Sequence, residues 1–125
     1  MIMRQAQLFA PPEYWRLSED ERIWFRCGPG RGVLEWLVPD HILGVCITPA
    51  CAVHDFCYSQ GCTDKDKCDA DVIFLNNMIR IIEAHNGIGF LQRMRLRRAR
   101  IYYEAVSHFG GPAFWSGKNR PDEMG

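Results

Sequence analysis

Glycine-bearing breaks constrain the fold of this chain more than any other feature. Gly61, Asn86-Gly87 and Gly110-Gly111 cut the stretch after Pro49 into segments of helical length. Thr48-Pro49 supplies an N-cap and a first-turn proline, which predicts a helix running through Gln60. A second helix is expected from Thr63 or Asp64 to about His85, because Phe74, Leu75, Met78, Ile81 and Ile82 recur at helical spacing. A third is expected over 90–109, with Leu91, Met94, Ile101, Tyr102, Ala105 and Val106 along one side. Upstream, Ser18 with Glu21 three residues later forms a capping box and predicts a short helix over about 19–25. CGPGRG at 27–32 ends it, and residues 33–47, which contain Pro39 and Gly44, read as irregular. No period-2 alternation marks a strand, so the expected fold class is all-α, in one domain over 1–125.

The 125 residues include six cysteines, Cys27, Cys46, Cys51, Cys57, Cys62 and Cys68, a density typical of small cross-linked domains. The N-terminus MIMRQAQLFAPPEYW has too short an apolar run for a secretory signal, and no later run approaches the ~18 apolar residues of a membrane span. The chain therefore reads as synthesised in the cytoplasm, which conflicts with the cysteine density; a mature chain lacking its signal, an unconventional export route or reduced cysteines would each resolve the conflict, and the localisation is left open. Fifteen basic residues balance fifteen acidic ones, which argues against a general nucleic-acid binder.

The chemistry concentrates in ACAVHDFCYSQG, residues 50–61. On a helix, neighbours point about 100° apart, so His54 and Asp55 serve different surroundings. Residues three and four apart share a face, which aligns Cys51, His54 and Tyr58 and turns Asp55 towards whatever packs beside them. A carboxylate facing a glycine-rich turn suggests a hard cation such as calcium, with exposed backbone carbonyls completing the oxygen ligands. CGPGRG is the candidate loop; its plainer reading is a turn between helices. A histidine acting as general base needs an acceptor on its far nitrogen, and the next helix offers Asp69 and Asp71. Asp71 shares the apolar face with Phe74, Leu75 and Met78, which ranks it ahead of Asp69.

These residues resemble the small, calcium-dependent, secreted phospholipase A2 family. Cys27-Gly28-Pro29-Gly30 matches its C-G-x-G loop, and Cys51, His54, Asp55, Cys57 and Tyr58 match its C-x-x-H-D-x-C-Y helix. Asp71, Phe74, Asn77 and Met78 match D-x-x-F-x-x-(D/N)-M of the bacterial branch, so the motif core spans 27–78. The resemblance implies two antiparallel long helices carrying the site beside a calcium loop. It implies hydrolysis of the sn-2 ester of glycerophospholipids, with His54 as base, Asp71 (Asp69 in reserve) orienting it, and Tyr58 hydrogen-bonded to the aspartate. Calcium would sit on Asp55 and the backbone oxygens of Arg26, Gly28 and Gly30, with the Gly28 amide helping to hold the oxyanion. Arg26 stands where the family often has an aromatic residue. In the animal enzymes a cysteine directly precedes the partner aspartate, a pattern that would select Cys68 and Asp69. The expected disulfides are Cys27–Cys51 and then Cys57–Cys68; Cys46 and Cys62 have no assigned partner.

Other readings compete. Cys51, His54, Cys57 and Cys62 are soft ligands at short spacing, as in a small structural zinc module. Cys57 beside His54 also suggests a thiol nucleophile, although a bridge half fits the framework better. DKDKCDAD, 64–71, lacks the glycine and the final glutamate of an EF-hand. Arg93, Arg95, Arg97, Arg98 and Arg100 give the third helix a basic character, read either as a solvated surface or as a face for an anionic phospholipid surface. Trp15, Trp24, Phe25, Trp36 and Leu37 read equally as core or as an apolar rim for a bilayer. A catalytically silent module that binds membranes or proteins is the remaining alternative, and the oligomeric state is not legible.

Overall fold

The computed structural model describes residues 7–22, 38–116 and 118. The chain begins with the helical turn α1 (Pro12–Trp15), a further helical stretch over 19–22, and a ribbon of β1 (His41–Ile42) and β2 (Val45–Cys46). Three main helices follow: α2 (Thr48–Gln60), α3 (Asp64–Ala84) and α4 (Gly89–Phe109), then the short α5 (Gly111–Trp115).

Local chemistry explains the boundaries. Ser18 Oγ accepts from the Glu21 amide at 3.2 Å while Glu21 Oε1 accepts from the Ser18 amide at 3.0 Å, closing the expected capping box. Thr63 and Asp66 form a second such box at the start of α3. Gly61 ends α2, and the short connection at 61–63 folds α3 back against it. Helix α3 lies between α2 and α4. Its core face, with Phe74, Met78 and Ile82, packs in one cluster with Ile47 and Cys51 and with Ala99 and Val106 of α4. Tyr14, Val53 and Phe56 form a smaller cluster where α1 covers α2. The N-terminal segment is tied to α3 by buried Asn77, which accepts from the Phe9 amide at 2.7 Å and donates to the Phe9 carbonyl at 2.8 Å.

Several expectations need correction. The ribbon falls where irregular chain was expected. Leu43 and Gly44 both take positive φ, 45° and 86°, and so form a tight two-residue reversal despite the bulky first residue. Arg95 secures that reversal by donating twice to the Leu43 carbonyl, at 3.2 and 3.0 Å. The phospholipase A2-like arrangement is also corrected. The two 21-residue helices are α3 and α4, whereas His54 lies on the 13-residue α2, so the two longest helices do not carry the site between them. Among the described residues no disulfide braces the fold. Cys57 and Cys68, expected to pair, are both free thiols, one half-buried and the other exposed, and Cys46 and Cys62 are free as well. The Cys27–Cys51 pairing involves Cys27, which lies outside the described residues, as do Trp24, Phe25, Trp36 and Leu37.

The apolar stripe of α4 is rotated from its expected position. Arg95, Ala99 and Val106 face inward, while Met94 and Ile101 are 38% and 50% exposed. Arg95 occupies an inner position because the carbonyls of Leu43 and Asn86 and the Gln92 side chain accept its donors. That frees the opposite, partly apolar face for solvent.

Candidate functional site

The 17-residue separation of His54 and Asp71 is closed by the turn between α2 and α3, which sets His54 Nε2 2.8 Å from Asp71 Oδ1. Both side chains are 2% exposed. Tyr58, one turn along α2 from His54, donates to the same oxygen at 2.6 Å. Lys67, one turn before Asp71, donates to Oδ2 at 2.8 Å and also reaches the Val106 and Ser107 carbonyls at 3.1 and 3.2 Å. The His54 ring is flanked by Tyr58, with centroids 4.1 Å apart, and by Phe74 at 4.6 Å.

Burial alone would push the Asp71 carboxyl up. The hydrogen bonds from His54, Lys67 and Tyr58 together outweigh it and hold the group below the usual aspartate value. Asp71 is therefore ionised near neutral pH, and His54 Nε2–H is the donor between them. Burial, reinforced by the Asp71 contact, drives the Tyr58 hydroxyl far above its ordinary range, so it stays a neutral donor.

Asp69 stands elsewhere, 56% exposed and paired with Lys65 at 2.8 Å. Asp55, on the neighbouring face of α2, is half-buried with both carboxylate oxygens shielded from solvent. Arg26, Gly28 and Gly30 lie outside the described residues. Among the described residues no group of three or more His, Cys, Asp and Glu side chains is placed to hold a metal ion. Asp71 is committed to His54, Tyr58 and Lys67, and Asp69 points away. The calcium expectation is corrected on that finding, and with it the assignment as a calcium-dependent phospholipase A2 engaged in lipid degradation. The zinc module is corrected likewise: His54 turns to Asp71 while Cys62 lies exposed past the end of α2. DKDKCDAD forms the first two turns of α3.

Lys67 had no place in the site expected from sequence, although its i, i+4 spacing to Asp71 was a legible signal. The basic character expected of α4 is present on its outer face, and the apolar side chains exposed among the arginines are what sequence reasoning missed. Phe90, Met94 and Ile101, spaced four and seven apart, project on one side and are 65%, 38% and 50% exposed. Arg93, Arg97, Arg98 and Arg100 are exposed around them. Glu104, on the same helix, pairs with Arg100 at 3.6 Å. Among the described residues no helix is long and apolar enough to cross a membrane. Comparison of the chain with protein-family models, with characterised proteins and with solved structures finds no match.

Proposed function

We propose that this protein associates with the surface of anionic phospholipid membranes through the outer face of α4. The observation that carries the reading is the alternation on that face of Phe90, Met94 and Ile101 with Arg93, Arg97, Arg98 and Arg100. A helix lying in the interfacial plane needs this combination: apolar side chains enter the acyl boundary while guanidinium groups meet headgroup phosphates. The inward turn of Arg95 leaves four basic residues on the outer side against Glu104, so the face is cationic although the whole chain is neutral. A duplex nucleic acid would match the arginines but leave the three apolar side chains without a partner, which favours lipid.

Co-sedimentation with vesicles tests the reading. The protein should pellet with mixed phosphatidylcholine and phosphatidylserine vesicles, remain in solution with phosphatidylcholine alone, and be released by salt. Failure to pellet with the anionic vesicles would sink it. Salt-sensitive retention on double-stranded DNA without vesicle binding would reassign the face to nucleic acid.

A further inference from the structure

Arg22 lies outside both regions described above. Its guanidinium carbon sits 5.9 and 5.6 Å from the ring centroids of Tyr14 and Trp15, and Nη2 donates to the Trp15 carbonyl at 2.7 Å. These residues, with Leu8, Glu19 and Pro49, wall a cavity of about 330 Å³, which is room for a small organic molecule. Arg22 Nε is shielded from solvent and makes no hydrogen bond among the described residues. Glu19 shares the wall without a hydrogen bond or ion pair to the guanidinium. A buried donor on a cation seldom goes without an acceptor in a folded protein, and the cavity beside Arg22 is where one can be brought to it.

We propose that this cavity binds a small monoanionic organic acid, its carboxylate paired with Arg22 and its hydrocarbon body against Leu8, Trp15 and Pro49. A planar carboxylate suits the in-plane donors of a guanidinium better than a spherical anion does. The aromatic and aliphatic walls accept hydrocarbon. Glu19 adds negative charge on one side, which disfavours dianions and any second acidic group. No residue of α4 takes part, so this site and the membrane-binding face stand or fall separately.

Calorimetric titration of the full chain with hexanoate, benzoate and inorganic phosphate tests the proposal, with the Trp15 indole N–H signal followed by NMR. Hexanoate and benzoate should bind saturably at one site and shift that signal, whereas phosphate should not. Arg22→Met should weaken hexanoate binding about tenfold or more, and Arg22→Lys less. Glu19→Gln should tighten binding, a gain that does not depend on Arg22→Met remaining folded. Phosphate binding equal to hexanoate binding would overturn the ligand class. No saturable binding of either carboxylate to folded protein would overturn the site.

Discussion

Asp71 accepts from His54 at 2.8 Å where neither side chain meets water, and it is held there from its other oxygen by Lys67. Such a network contributes to stability only while all its members are present, because each supplies what another lost on leaving solvent. Asp71→Ala would strand the Lys67 ammonium and two buried donors. The expected loss is about 3–5 kcal/mol, read as a fall in the urea midpoint. Asp71→Asn keeps an acceptor but sets an amide N–H₂ against donors, so it should fall between the two. A loss for Asp71→Ala below about 1 kcal/mol would mean that the network does not carry the packing of α2 on α3.

The pH dependence follows from the same carboxyl. Its folded value lies below its unfolded one, so it contributes stability above the unfolded aspartate value of about 3.9. That contribution is lost as pH falls from there through the lower folded value. The stability gap between the natural chain and Asp71→Asn should therefore close as pH falls below about 4. Denaturant melts of both proteins at stepped acid pH measure it, and a gap that widens below about pH 4 would contradict the assignment.

Cys57 offers a chemical check on packing. Burial pushes its thiol up to about 11, so at pH 8 it holds about a hundredfold less thiolate than a solvated cysteine. Iodoacetamide should therefore modify the exposed Cys46, Cys62 and Cys68 well before Cys57, as followed by peptide mass spectrometry. Labelling of Cys57 at the same rate would mean that α2 and α3 part readily at this point.

Gly110 marks the closest approach at the end of α4. A Cβ there would meet the Val106 carbonyl oxygen and stand 2.6 Å from the Tyr58 hydroxyl. Gly110→Ala should cost about 1–3 kcal/mol and displace Tyr58 from Asp71. Tyrosine fluorescence cannot isolate one ring among four tryptophans, so the readout is the thermal midpoint together with the Tyr58 ring signals in NMR. An unchanged midpoint with an unmoved ring would show that the end of α4 yields freely.

Legibility in the sequence followed the range of the interactions. The capping pairs Ser18 with Glu21 and Thr63 with Asp66 act over three residues, so the corresponding helix starts were readable. Asp71 could be ranked over Asp69 because one faces the stripe of Phe74 and Met78 and the other does not, and the structure sets it beside His54. The rotation of α4 was not readable. Sequence hydrophobicity places Met94 with the core and Arg95 with solvent, and acceptors that include the distant Leu43 carbonyl reverse them. The Leu43-Gly44 reversal lacked the Asn or Asp that marks such turns. Motif spacing likewise carried calcium along with the His-Asp pair, although local spacing cannot assemble a ligand set from separate segments.

The rotation of α4 also yields a graded prediction for the membrane face. Arg97 and Arg98 are exposed, so Arg97→Gln with Arg98→Gln should leave the melting midpoint unchanged. Near an anionic surface each basic residue contributes about 1 kcal/mol, so the pair should weaken vesicle binding about 30-fold and flatten its salt dependence. Ile101→Ser removes apolar contact without charge; it should weaken binding about fivefold, from a loss of about 1 kcal/mol, and leave the salt dependence unchanged. Vesicle titrations at several salt concentrations separate the two effects. If Ile101→Ser had no effect while the arginine variant lost binding, the contact would be purely electrostatic, with α4 resting above the headgroups rather than among them.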